Sequence, residues 1–167
     1  MDVTNYRLLI GSDDAGAQYK QVLAADLAAD ARVSTVHDVS VRSGLADGCS
    51  YGEVGIAAGR IIAADDADRA VLICGTGIGM AISANKVPGI RATTAHDSFS
   101  VERSILSNDC QVLAIGQRVI GVELARRLVR EWLSYEFDPS SHSFANVAVI
   151  TAYEDRNAAP SGNVKED

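Results

Sequence analysis

Apolar residues fall along this chain in short dense runs, each closed by a polar or glycine-rich turn and followed by apolar positions at helical spacing. Arg7 to Gly11 is the first run; Ser12-Asp13-Asp14-Ala15-Gly16 stops it, and Tyr19, Val22, Leu23 and Leu27 then recur with the period of a helix. The alternation repeats with Val33–Val39 and a helix through Val54–Ala64, Arg69–Ile73 and a helix from near Gly79, Ile90–Ala95 and a helix through Asp97–Leu106, and Val112–Ile115 and the helix Gly121–Leu133. Strands this apolar must be buried on both faces. The pattern therefore predicts an α/β fold: a Rossmann-like, doubly wound, five-stranded parallel sheet with helices on both faces. Ser134–Ser143 is a polar loop, and Ala145–Glu154 reads as a last amphipathic helix standing apart from the repeats, of the kind that docks on a second subunit.

One domain over residues 1–157 is expected, with 158–167, which carry Pro160, Gly162 and terminal charges, as a disordered tail. A formal net charge of −7 over 167 residues opposes nucleic acid and anionic membranes as partners. Residues 1–6 lack the basic start of a signal peptide, and the uncharged stretch Ala70–Ala84 is too short and glycine-broken to span a bilayer, so a cytoplasmic protein is expected. Cys49, Cys74 and Cys110 are odd in number and widely spaced, which suggests neither a disulfide framework nor a CxxC motif. His37, His96 and His142 are equally scattered, and no metal is expected.

Ligands of an open parallel sheet bind outside the carboxyl ends of its strands, where the strand order reverses. The loops there carry Asp13-Asp14, Ser40–Tyr51, Cys74–Gly79, His96-Asp97 and Gly116–Arg118. In Cys74-Gly75-Thr76-Gly77-Ile78-Gly79 three alternating glycines let the backbone turn sharply and aim N–H groups at one point, an oxyanion cradle in which a thiolate is favoured and Cys74 could act as a base. A small buried core residue is the competing reading of Cys74. Dinucleotide binding is disfavoured, since the third glycine of GxGxxG would fall at Met80 and the loop follows the third strand; Asp97 alone is a weak ribose-binding signal. A signalling receiver domain would need an aspartate where Cys74 stands.

With these residues in view, the chain resembles ribose-5-phosphate isomerase B and the galactose-6-phosphate isomerase subunits. The resemblance runs through Gly11-Ser12-Asp13, Ile73–Gly79, Ser83–Ala92, Asn108-Asp109, Leu113–Gly121 and Tyr153-Glu154. It implies interconversion of an aldose and a ketose through an enediolate, with no metal and no organic cofactor, by a homodimer whose active sites span the subunit interface; pairing of dimers into tetramers stays open. Carried over by position, Cys74 matches the base that moves a proton between C1 and C2. Thr76 and the amides of Gly75, Gly77 and Gly79 match the groups that stabilise the enediolate, a role their N–H geometry would suit independently. Asp13 matches an acid that contacts sugar hydroxyls, Tyr51 a pocket tyrosine, Asn108 a sugar-binding asparagine and Arg118 a phosphate-side cation.

The departures bear on substrate. Asp14 stands where the family carries a phosphate-side histidine, Ser107 where it carries the ring-opening histidine, and His142 and Asn146 where two arginines reach a partner's phosphate. An aspartate about 4 Å from a phosphate charge is repelled by roughly 4 kcal/mol at an effective dielectric near 20. The expectation is an active isomerase whose substrate is ribose 5-phosphate or a shorter sugar phosphate such as erythrulose 4-phosphate. The alternatives are isomerisation of an unphosphorylated sugar and a catalytically silent sugar-binding paralogue. Ser107 could relay a proton, and His96 could take over ring opening or be an ordinary structural histidine. Asp14 could instead be the N-cap of the first helix, while Arg42 and Lys86 are candidate replacement cations.

Overall fold

The computed structural model describes residues 5–158; the tail expected to be disordered lies outside them except for Ala158. Five parallel strands, β1 (Tyr6–Ser12), β2 (Val33–Asp38), β3 (Arg69–Cys74), β4 (Ala92–Thr94) and β5 (Val112–Gly116), form one sheet in the order β2-β1-β3-β5-β4. The helices are α1 (Ala17–Ala28), α2 (Val39–Ser43), α3 (Tyr51–Ala63), α4 (Ile78–Ala84), α5 (Ser98–Leu106), α6 (Val122–Trp132) and α7 (Phe144–Ala158).

Side chains alternate across the strands and so build two cores. Leu8, Ile10, Val71, Ile73, Leu113 and Ile115 face one layer with Leu23 and Leu27 of α1, Val101 and Ile105 of α5, and Leu128 and Trp132 of α6. Leu9, Leu72, Val112 and Ala114 face the other, against Val39, Val54, Ala58, Met80 and Ala84 from α2, α3 and α4. Cys74 belongs to this second layer.

Two of the boundaries that differ from the hydrophobic pattern have a local cause. Asp38 ends β2 because its carboxylate accepts the N–H groups of Ser40 and Val41 (2.8 and 3.3 Å), capping α2 where a loop was expected. Ile90 does not join β4, since its N–H closes a turn on the Val87 carbonyl through Gly89 at φ +81°.

Arg69, at the amino end of β3, ties down the far end of α6. Its guanidinium lies 4.6 Å from the Tyr6 ring centroid and 5.2 Å from that of Trp132, and it donates to the carbonyls of Trp132 (3.1 Å) and Tyr135 (2.8 Å). The chain therefore leaves α6 at the amino ends of the strands. From there α7 runs past β4, where the Gly89 N–H donates to Glu154 Oε2 (3.0 Å). Phe144, Val149, Ile150 and Tyr153 of α7 are exposed. No helix among the described residues is long and apolar enough to cross a membrane.

Candidate active site

The chain leaves β1 to build β2 on one side and returns to build β3 on the other, opening a crevice at the carboxyl ends of β1 and β3. The register sets Ser12 beside Ile73 and Cys74 beside Gly116, so Asp13, Cys74 and the segment 116–118 converge there. Cys74 is 4% exposed, and the Gly77 N–H donates to its sulfur at 3.0 Å. Glycine is required at 77: φ is +82°, and a Cβ would stand 3.0 Å from Thr94 Cγ2 and 3.1 Å from the Ala114 carbonyl oxygen. The Gly77 amide is thus committed to Cys74 rather than to an oxyanion, which corrects the expected cradle and leaves that work to its neighbours.

A strap from the end of β5 closes the loop from the other side. Gln117 N–H donates to the Cys74 carbonyl (2.9 Å) and Arg118 N–H to that of Gly75 (3.0 Å). The Arg118 side chain lies over Gly75, where a Cβ would meet its Cδ and Nη1 at 3.6 Å. The exposed Thr76 accepts from the Ile78 N–H at 3.4 Å. The Tyr51 ring covers Gly79, whose added Cβ would come 2.5 Å from Tyr51 Cδ2. Tyr51 is held by a capping box unnoticed in the sequence: Ser50 Oγ accepts the Glu53 N–H while the Glu53 carboxylate accepts that of Ser50.

At the carboxyl ends of β1 and β2, a cavity of about 270 Å³ is lined by Asp13, Asp14, Lys20, Ser40, Gly48 and Cys49 among others. Asp13 Oδ1 is buried without a hydrogen-bond partner. Lys20 is paired with Asp38 at 2.7 Å. Asp14 does not cap the first helix; it opens a 3-10 turn, and Gly16 is the N-cap of α1. Cys49 was not singled out from the sequence; its Sγ lies 3.4 Å from Ser40 Oγ, and its place in the loop after β2 was the only signal.

The remaining candidates do not join this site within one chain. Ser107 and Asn108 lead into β5 and so lie at the amino ends of the strands, opposite Cys74. There Asn108 Nδ2 donates to the Arg103 carbonyl (3.1 Å), and Asn108 lines a second cavity of about 460 Å³ with Asn85, Arg91, Ile150 and Glu154. His142 and Asn146 lie along the chain between Tyr135, which Arg69 holds at the amino ends of the strands, and Glu154, which the Gly89 N–H holds. His96 is near the crevice, but its Nε2 accepts the Gly116 N–H at 2.8 Å, so one of its two ring nitrogens is committed to the backbone. Burial pushes the His96 imidazolium below the usual histidine range against the opposing pull of Asp97. Asp97 caps α5 through the Ser100 N–H (2.7 Å), and Arg42 pairs with Asp66 (3.8 Å), so neither serves the site. Lys86, beyond the far end of α4, is exposed. Among the described residues no group of three or more His, Cys, Asp or Glu is placed to hold a metal ion.

The cysteines differ in chemistry as well as place. Burial pushes the Cys110 thiol up to about 12, with Arg91 opposing. Iodoacetamide near neutral pH is expected to label half-buried Cys49 and to spare Cys110 until the protein is unfolded, as read by peptide mass spectrometry; native labelling of Cys110 would contradict the packing.

Residues 8–150 match the model of the family described as Ribose/Galactose Isomerase. A D-erythrulose-4-phosphate isomerase of Mycolicibacterium smegmatis is 58% identical over 148 residues, 89% of this chain and 97% of that protein. A ribose-5-P isomerase B of Listeria innocua is 36% identical, covering 90% of this chain and 99% of that one. The solved ribose-5-phosphate isomerase B of Clostridium thermocellum superposes with a TM-score of 0.81 at 33% identity, over 90% of this chain and 99% of that chain.

Proposed function

The chain belongs to the ribose/galactose isomerase family and is an aldose–ketose isomerase, and from that premise we propose that it interconverts D-erythrulose 4-phosphate and D-erythrose 4-phosphate with Cys74 as the base. The observation that carries this reading is the Gly77 N–H held 3.0 Å from the Cys74 sulfur at the mouth of the crevice. The thiolate takes a proton from C1 of the ketose, the C–H electron pair forms the C1–C2 double bond, and the C2 oxygen takes up the negative charge. The amides of Gly75 and Gly79 and the Thr76 hydroxyl are the donors for that oxygen. Moving the O1 proton to O2 and the sulfur-bound proton to C2 then yields the aldose. The buried, unpartnered Asp13 Oδ1 supplies an acceptor for a substrate hydroxyl.

A four-carbon substrate accounts for what the site lacks. With O4 phosphorylated, neither the tetrose nor the tetrulose has a hydroxyl that can close a five-membered ring. No ring need be opened, so Ser107 in the position of a histidine and the engaged Nε2 of His96 cost the reaction nothing. A shorter chain also holds its phosphate nearer the base, where Arg118 lies over Gly75.

A homodimer completes the assembly in this reading. A second copy with its amino-end face against the crevice would bring Ser107, Asn108, His142 and Asn146 to a site their own chain cannot supply, and the exposed apolar side chains of α7 offer a surface for it. Three free cysteines, one of them the base, suit a reducing compartment such as the cytoplasm.

The test is a substrate panel. kcat/KM for D-erythrulose 4-phosphate is expected to exceed that for unphosphorylated erythrulose by about tenfold or more, the value of a charge-assisted contact, and to exceed that for ribulose 5-phosphate, whose phosphate lies one carbon farther from C1. Equal rates on free and phosphorylated erythrulose would sink the phosphate assignment, and preference for the pentulose phosphate would sink the tetrulose.

A further inference from the structure

His96 lies in the segment between β4 and α5, outside the loop that carries the base, yet its ring nitrogen is bonded into the backbone that shapes that loop. Gly116, whose N–H it accepts at 2.8 Å, is the last residue of β5 and pairs in register with Cys74. Gly116 is also packed so closely on the loop that a Cβ there would fall 2.7 Å from Thr76 Cα. The next two residues make the bonds that close the strap over Cys74 and Gly75. We propose that His96 is a positioning residue for the isomerase reaction: as the neutral Nδ1–H tautomer it fixes Gly116, and through it the placement of Thr76, Arg118 and the Cys74–Gly79 turn.

The geometry gives this device a pH dependence of definite sign. Protonation puts a second N–H on Nε2, facing the Gly116 N–H, so the acceptor becomes a donor and the bond is lost. Asp97 is the charged group that acts on the ring, and it favours the imidazolium; burial opposes it and prevails. The folded-state value lies below the unfolded one. The contribution is therefore complete above the ordinary histidine value of about 6.5 and is lost as pH falls through the lower folded value. Turnover should fall on the acid side with a titration that belongs to His96.

The inference rests on the reading of Cys74 as base, and two measurements separate their failures. Profiles of kcat and kcat/KM against pH, with D-erythrulose 4-phosphate as probe, are compared for the wild type, His96→Gln and His96→Ala. Glutamine reaches as far as Nε2 and accepts an N–H without titrating, so it should keep most of the turnover near neutral pH and remove one ionisation, that of His96, from the acid side of the profile. Alanine leaves the amide without an acceptor and should lower kcat by about 100-fold, the scale of a small misplacement of catalytic groups. Equal loss in both variants with the acid limb unchanged would overturn the proposal. Amide hydrogen exchange at 116–118, followed by NMR without substrate, is the second measurement. Protection beyond the intrinsic trend should fall with pH in the wild type and stay flat in His96→Gln. A flat wild-type profile overturns the positioning role whether or not the protein isomerises the sugar, whereas absence of turnover with the exchange result intact faults the substrate or base assignment alone.

Discussion

Replacing Cys74 with serine is expected to lower kcat for D-erythrulose 4-phosphate by about four orders of magnitude while leaving the melting temperature near that of the wild type. The two effects separate because the side chain has two roles. As packing, serine is nearly isosteric with cysteine, and its hydroxyl still accepts the Gly77 N–H that organises the turn. As chemistry, a hydroxyl is un-ionised near neutral pH, and losing a positioned base costs about 10²- to 10⁴-fold. The upper end is appropriate because no other base stands at the position: Asp13 meets the crevice from β1, and His96 is held by Gly116. Steady-state kinetics with a thermal melt check this. A variant that turns over within tenfold of the wild type would remove Cys74 from the mechanism, whereas one that no longer folds would leave His96→Gln and Arg118→Ala as the informative variants.

Arg118→Ala is expected to reduce kcat/KM for the phosphorylated tetrulose by about 10- to 100-fold, chiefly through KM, and to leave the much slower reaction of free erythrulose nearly unchanged. The guanidinium lies over Gly75, and loss of its charge-assisted hydrogen bonds to a phosphate is worth about 1.5–3 kcal/mol. The strap survives the substitution, since the bond to the Gly75 carbonyl comes from the backbone of Arg118. Arg118→Lys should recover part of the loss, because an ammonium retains the charge without the bidentate fork. Equal losses on phosphorylated and free substrates would mean that Arg118 shapes the loop rather than binding the anion.

Much of this was legible from apolar runs and glycines. The three central strands stand out in the sequence because they are buried on both faces and so are apolar almost throughout; Leu8–Ile10 and Val112–Ile115 have no polar position to blur them, whereas the edge strands β2 and β4 have no buried residue and were placed by their position in the alternation. Cys74-Gly75-Thr76-Gly77 was readable because a left-handed turn at 77 admits little but glycine. Cap chemistry acts over too few residues to register as periodicity, which is why α2, started by Asp38 and stopped by Gly44 at φ +63°, was missed. Ser107 and Asn108 are different. Residues that precede a parallel strand lie at its amino end, so their separation from Cys74 was implied by chain order once the strands were known; resemblance groups residues by role and ignores which copy supplies them. His96 was singled out, with a structural histidine as one reading, but its contact could not be read, because its partner is a backbone N–H, 20 residues away, that carries no sequence signature.

The measurement that tests the central assignment most directly is deuterium exchange into D-erythrulose 4-phosphate in D2O, followed by NMR for the wild type and Cys74→Ser. The expected result is solvent deuterium at C1 of the remaining ketose and at C2 of the aldose formed by the wild type, with neither signal above background for the variant. Exchange by Cys74→Ser at the wild-type rate would contradict the assignment, since the proton would then be moved by a group other than the sulfur at the end of β3.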